Sequence, residues 1–189
     1  MKRSWKKTLA ACLAVAMLLS VCVIPVAAEG TTTTDTTTVI VGGEGENAKS
    51  TIAEALAVDG VKTIQLNKNV TEDVVIESGV TVTLDLNGFT LTNNASHTIF
   101  NKGNLTIIDS KGNAEASGTV DNVTHAKAAL WNEPGATAHL QSGKYIRSLE
   151  NGQSDTNNGG NSFYNILNHG SMTIEDGVTV EQNGSYSSL

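Results

Sequence analysis

The sequence predicts an all-β solenoid of short parallel strands, opened by one short helix. Two observations carry this. Beyond Gly60, runs such as "TIQLNKN", "VTVTLDLNG", "FTLTNN" and "NLTIID" alternate apolar and polar residues and are punctuated by Asn and Gly. Period-two alternation rich in β-branched residues marks strands, and the Asn/Gly pairs mark turns. Second, one wording recurs in segments 97–112, 128–143 and 164–177: an apolar pair, an asparagine, a glycine soon after, a second strand and a second glycine. The heptapeptides "IESGVTV" (76–82) and "IEDGVTV" (174–180) are two further samples of the same strand–turn–strand wording.

The chain opens with Lys2, Arg3, Lys6 and Lys7, then an apolar stretch from Leu9 to about Val23, then small residues before Glu29. This order reads as a secretory signal peptide over residues 1–28, cleaved after Ala28. The apolar run is short against the roughly 20 residues that span a bilayer, so a retained anchor is the weaker alternative. "LAAC" at 9–12 resembles a bacterial lipobox at Cys12, but the long apolar stretch follows that cysteine rather than preceding it.

Four of the 12 basic residues and none of the 19 acidic ones lie in this leader, so the remainder carries eight basic and 19 acidic residues, a net charge of −11. That balance argues against nucleic acid and anionic membrane surfaces as partners. Both cysteines, Cys12 and Cys22, also fall in the leader, which leaves the mature chain without a disulfide or a thiolate metal site. Export without disulfides suits a bacterium.

Residues 29–46 contain "TTTTDTTT" and the glycine-rich "GGEGEN" and read as a disordered linker. A single domain then occupies 47–189. "NAKSTIAEALAVDG" is its one helical stretch: Thr51 and Glu54 form a capping box, Ile52, Ala55 and Leu56 share a face, and Gly60 ends the helix, giving a span of about 52–58.

The repeated segments supply about four coils. Asn101, Asn132 and Asn168 align, as do the first-turn glycines Gly103, Gly135 and Gly170 and the second-turn glycines Gly112, Gly143 and Gly177. A third short strand follows each unit, at 118–120, 144–146 and 178–180. Stacking equal units sets equal positions one above another. Ile99, Leu130 and Ile166 form one predicted inward column, Leu105, Ala136 and Met172 another, and the three asparagines a ladder at one corner. Residues 148–162 and those around 113–127 hold the excess length and read as surface loops. The register of Gly79 has two solutions: over Gly103, a step of 24 residues, or over Gly112, a step of 33. The shorter step is favoured, because the longer one must absorb the extra strands of "LDLNGFTLT".

These patterns resemble the right-handed parallel β-helix of the pectate-lyase-like fold. "TLDLNGFTLT" (83–92) with "NLTIIDSKG" (104–112) is similar to the opening coils of such domains in secreted bacterial surface proteins, and the helix followed by "VKTIQL" is similar to their N-terminal cap. The resemblance implies a fold rather than an activity: adhesins and enzymes of polysaccharide cleavage both use these coils.

Candidate chemistry is sparse. Lyase chemistry of this fold type implies Ca²⁺-binding carboxylates beside a basic residue. The mature chain has one arginine, Arg147, with Glu150 and Asp155 its nearest acids in sequence. A hydrolase of this group implies paired aspartates, and its characteristic motifs are missing; His169 in "NHG" is a turn residue of the repeat. Asp85, Asp109 and Asp176 sit at turns, where acidic residues are ordinary, although they could hold Ca²⁺. No catalytic, cofactor-binding or metal residue is therefore assigned.

The feature of most interest is the position before the corner asparagine, filled by Phe100, Trp131 and Leu167. Strict alternation points it outward, where Phe100 and Trp131 could contact a glycan or a partner. Burial by turns or loops is the competing explanation.

The expectation is a secreted or cell-surface, non-enzymatic module contacting polysaccharide, host glycan or cell-wall glycan. The alternatives are a lyase or hydrolase, and the structural N-terminal part of a larger surface protein. Self-association through an uncapped C-terminal end is a further expectation.

Overall fold

The computed structural model describes residues 37–60, 62–112, 117–148 and 164–181. The expected signal peptide, Glu150, Asp155 and the C-terminal tail lie outside them. The described chain is mostly β, its strands pair in parallel, and it has few helical residues.

Three ladders hold the strands. The first joins β1 (Thr37–Val41), β3 (Lys62–Leu66), β6 (Thr81–Asp85), β9 (Asn104–Ile108) and the first halves of β12 (Thr137–Ile146) and β14 (Ser171–Val180), with the short β2 (Ala48–Lys49) beside β1. The second joins β4 (Val70–Thr71), β7 (Thr90–Thr92), β10 (Thr119–Asp121) and the second halves of β12 and β14. The third joins β5 (Val74–Ile76), β8 (Ile99–Asn101), β11 (Leu130–Asn132) and β13 (Ile166–Asn168). From β3 onward the chain visits the ladders in the same order each time. We call each such passage a layer. In β12 and β14 two ladders meet within one long strand, and the pairing of the two shifts register between Leu140 and Ser142.

Alternation decides what is buried. Val39, Ile64, Leu84, Ile107 and Leu140 lie in register in the first ladder, each at most 2% exposed. Val70, Leu91, Val120, Tyr145 and Val180 form the column of the second. Val74, Ile99, Leu130 and Ile166 form that of the third. Removing such apolar columns from water is the main favourable term in holding layers together, at roughly 25 cal/mol per Å².

The first layer is closed by α1 (Ile52–Leu56), which buries Ile52 and Ala55. It stops two residues short of the expected end. Thr51 Oγ1 accepts from the Glu54 amide at 3.1 Å, and Glu54 Oε2 accepts from Ser50 N at 2.9 Å. Two further caps come from outside the helix. The Glu72 carboxylate accepts from the amides of Ile52 and Ala53, both at 2.8 Å, and Lys62 Nζ donates to Leu56 O at 2.6 Å. A carboxylate at the start and an ammonium at the end suit the helix dipole.

Three expectations need correction. The linker does not extend to residue 46: Thr37–Val41 is a strand of the first ladder, and "GGEGEN" is the turn that returns it to β2. Val39 and Val41 supply the buried residues that hold it there. The column with Leu105 and Met172 contains Ala138, not Ala136. Gly143 lies beside Gly118 rather than Gly112, and Gly177 lies beside Ser142.

The turns from third to first ladder explain the slip at Ala136. Their lengths alternate: Glu77–Val80, then Lys102–Gly103, then Glu133–Ala136, then His169–Gly170. The four-residue turns close on themselves, Val80 N to Glu77 O and Ala136 N to Glu133 O, both at 3.1 Å, with Gly79 at φ +82° and Gly135 at φ +86°. Positive φ at the third position suits glycine. The two-residue turns nest against them: Lys102 N donates to Ile76 O and Asn104 N to Val80 O, both at 2.8 Å. Gly79 therefore belongs to the same corner as Gly103 and not to that of Gly112, which excludes the step of 33, but the residue beside Gly103 is Val80, since Thr81 pairs with Asn104. The heptapeptides cross different corners, since Ile76 belongs to the third ladder and Ile174 to the first.

A Cβ at Gly103 would lie 2.5 Å from the backbone oxygens of both Glu77 and Val80. Gly103→Ala is expected to destabilise the protein by about 2–3 kcal/mol, because the clash is with backbone. Gly79→Ala, with open space around the added carbon, should cost only about 1 kcal/mol for its positive φ. Urea unfolding of the two variants checks the order.

Candidate functional site: the outer face of the third ladder

Because Ile99 and Asn101 point inward, Phe100 of β8 points out, and the same holds for Trp131 between Leu130 and Asn132 of β11. Val75, Phe100, Trp131 and Leu167 pair in register as one outer column. Phe100 and Trp131 are both half-buried. Their rings meet edge to face, 5.5 Å apart at 67°.

Sequence reasoning missed what surrounds them. His97, only 5% exposed, packs edge-on against Trp131 at 4.5 Å and lies 6.0 Å from Phe100. His169 lies 6.0 Å from Trp131 on the other side, and Lys102 Nζ sits 5.2 Å from the Phe100 ring centre while bridging to Glu77 at 3.2 Å. Lys102 and His169 occupy equivalent tight turns, so the repeat brings both to the flank of the aromatic column. Nothing in the alternation marks His97, which precedes its strand. Trp131 Nε1 is buried with no hydrogen-bond partner among the described residues.

His97 Nδ1 accepts from the Ala128 amide at 2.8 Å, which places the proton of the neutral ring on Nε2. Burial first, and then the charge of Lys127 with a smaller share from Arg147, lower its pKa from 6.5 to about 4; the backbone hydrogen bond with Ala128 and, less, Asp73 offset only part of this. The ring is therefore neutral at pH 7.

Two of the acidic candidates, Asp85 and Asp109, are engaged elsewhere. Asp85, 2% exposed, accepts from Asn87 N, Ser110 N, Gln65 Nε2 and Ser110 Oγ at 2.7–3.0 Å. Asp109 accepts from Gly88 N and Gly118 N, both at 2.6 Å. Their oxygens serve backbone and side-chain donors at the corner between the first and second ladders. Asp176 is exposed on β14. Among the described residues no three His, Cys, Asp or Glu side chains converge to hold a metal ion. Arg147 is fully buried, so the structure does not offer it to a substrate on an outer face. Among the same residues no helix is long and apolar enough to cross a membrane.

A scan of family models and searches of curated proteins and of solved structures return no match to this chain.

The His97 geometry has a consequence in pH. Its folded pKa lies below the unfolded value. The unfolded chain therefore binds more protons between about pH 4 and 6.5, and stability falls as pH drops through that window. His97→Gln is expected to remove this part of the slope. Chemical denaturation at pH 7, 5.5 and 4.5 checks it, and an unchanged slope in the variant would assign the loss to other groups.

Proposed function

We propose that the chain is a right-handed parallel β-helix of the pectate-lyase-like type, exported to a bacterial surface, where it contacts glycan without catalysis. The fold reading is supported by three parallel ladders visited in constant order and by the short helix over the first layer. Export is supported by the basic and apolar opening of the sequence.

The observation that carries the contact reading is the outer aromatic column. Sugar rings present C–H faces that stack on aromatic side chains, while N–H donors nearby fix hydroxyl groups. Phe100 and Trp131 provide the first kind of group. Lys102 and His169 provide the second at their flank. Both aromatics are held by strands paired on each side, so the face is in place before a ligand arrives.

The test is a glycan array probed with the purified chain. Binding is expected to a subset of polysaccharides, weakened about tenfold or more by Trp131→Ala and largely kept by Trp131→Phe. Unchanged glycan binding with a lowered melting temperature in Trp131→Ala would reduce the column to packing. Unsaturated product released from polygalacturonate with Ca²⁺ would replace this reading with a lyase.

A further inference from the structure

The geometry of the outer aromatic column restricts the shape of what can rest on it. The planes of Phe100 and Trp131 meet at 67°, with their centres 5.5 Å apart. No single plane lies parallel to both rings. The buried His97 stands edge-on to Trp131 at 78°, so packing sets the tilt of that ring. A crystalline polysaccharide presents many chains in one flat sheet, and stacking on it needs aromatic rings that share a plane. A single chain has no such requirement. One of its sugar rings can stack on one aromatic face while its edge meets the other ring.

Charge restricts the ligand further. The positions two residues beyond Val75, Phe100, Trp131 and Leu167 are Glu77, Lys102, Glu133 and His169. Two residues along a strand, roughly 6.6 Å, return to the same face. Lys102 bridges to Glu77 at 3.2 Å. Glu133, which follows Trp131, is half-buried, and its carboxylate meets no donor among the described residues. Such a carboxylate accepts hydrogen bonds from sugar hydroxyls and repels another carboxylate. On the opposite side of the column, Asp73 and Lys127 both act on His97. Three acids, Asp73, Glu77 and Glu133, thus stand around the column against two lysines, Lys102 and Lys127. Arg147, the one arginine among the described residues, is fully buried, so no guanidinium fork is offered to an acidic sugar. The whole chain, at −7, adds to the repulsion.

We infer that this face takes a single uncharged glycan chain, neither the flat surface of a crystalline polymer nor a polyuronate, and that Glu133 selects against acidic sugars. The inference rests on the reading of the face as a glycan contact and adds the class of glycan. Trp131 stacks on one sugar ring, Phe100 borders it, and Glu133 accepts from its hydroxyl groups.

The test has two arms. Calorimetry titrates the full chain with soluble hexaoses of glucose, xylose, mannose and galactose units, and with hexagalacturonate. Sedimentation pairs the chain with crystalline cellulose and with crystalline chitin. At least one neutral hexaose is expected to bind saturably, about tenfold or more tighter than hexagalacturonate, while the crystalline polymers leave the protein in the supernatant. Glu133→Gln, which keeps the backbone hydrogen bonds of its turn, should weaken the neutral hexaose about tenfold and bring hexagalacturonate to nearly the same affinity. Hexagalacturonate bound as tightly as any neutral hexaose overturns the inference and leaves the contact reading standing. So does retention by a crystalline polymer that Trp131→Ala abolishes. An unchanged ratio of neutral to acidic affinity in Glu133→Gln overturns the selection assigned to that residue. Saturable binding to none of the four neutral hexaoses overturns the inference as well, and the contact reading falls with it only if the glycan array is also blank.

Discussion

Parallel, in-register stacking is the constraint on which the rest of this structure depends. In such a ladder every residue lies against its equivalent in the next layer, so a side chain must be compatible with copies of its own kind. Aliphatic residues meet this easily, as the Val39-to-Leu140 column shows. Asparagine meets it for another reason: it carries a donor and an acceptor on one side chain, so a column can be internally satisfied. Asn101 donates to Asn132, and Asn132 to Asn168 at 2.8 Å and to Ser171 O at 3.0 Å. Fully buried amides are tolerated at this corner because each one's hydrogen-bonding need is met by the next.

The same constraint separates interior from exterior. Inward positions are bound to their columns, whereas outward ones face solvent and are free to differ between layers. The outer column of the third ladder illustrates this freedom, running from Val75 through Phe100 and Trp131 to Leu167. Outward positions are therefore the ones the fold leaves free, while inward positions carry its apolar columns. The helix end is the exception, where Lys62 stands in register with Val82 and uses its charge to close α1.

Much of this was legible because repetition makes a sequence its own alignment. The asparagine ladder, the Ile99–Leu130–Ile166 column, the three closing short strands and the Thr51 cap all follow from local wording. What escaped depends on distance. Glu72 caps a helix 19 and 20 residues away, and no local pattern marks it. Thr37–Val41 looked like the end of a polar linker because its partner strand begins 25 residues later. The slip from Ala138 to Ala136 arose from counting equal turns where the turns are unequal. At the candidate site, the outward direction of Phe100 and Trp131 was readable from alternation. His97 was not, because it reaches the rings from a loop that has no period.

The unequal turns also bear on how such a chain can lengthen. If wide and tight corners must alternate, the smallest self-consistent unit is a pair of layers. A genetic duplication copying one layer would set two corners of equal length against each other and misalign the carbonyls that receive the next strand. A duplication copying two would preserve every contact. On that condition the smallest unit that a duplication can add without misaligned corners is two layers, about twice the sequence repeat.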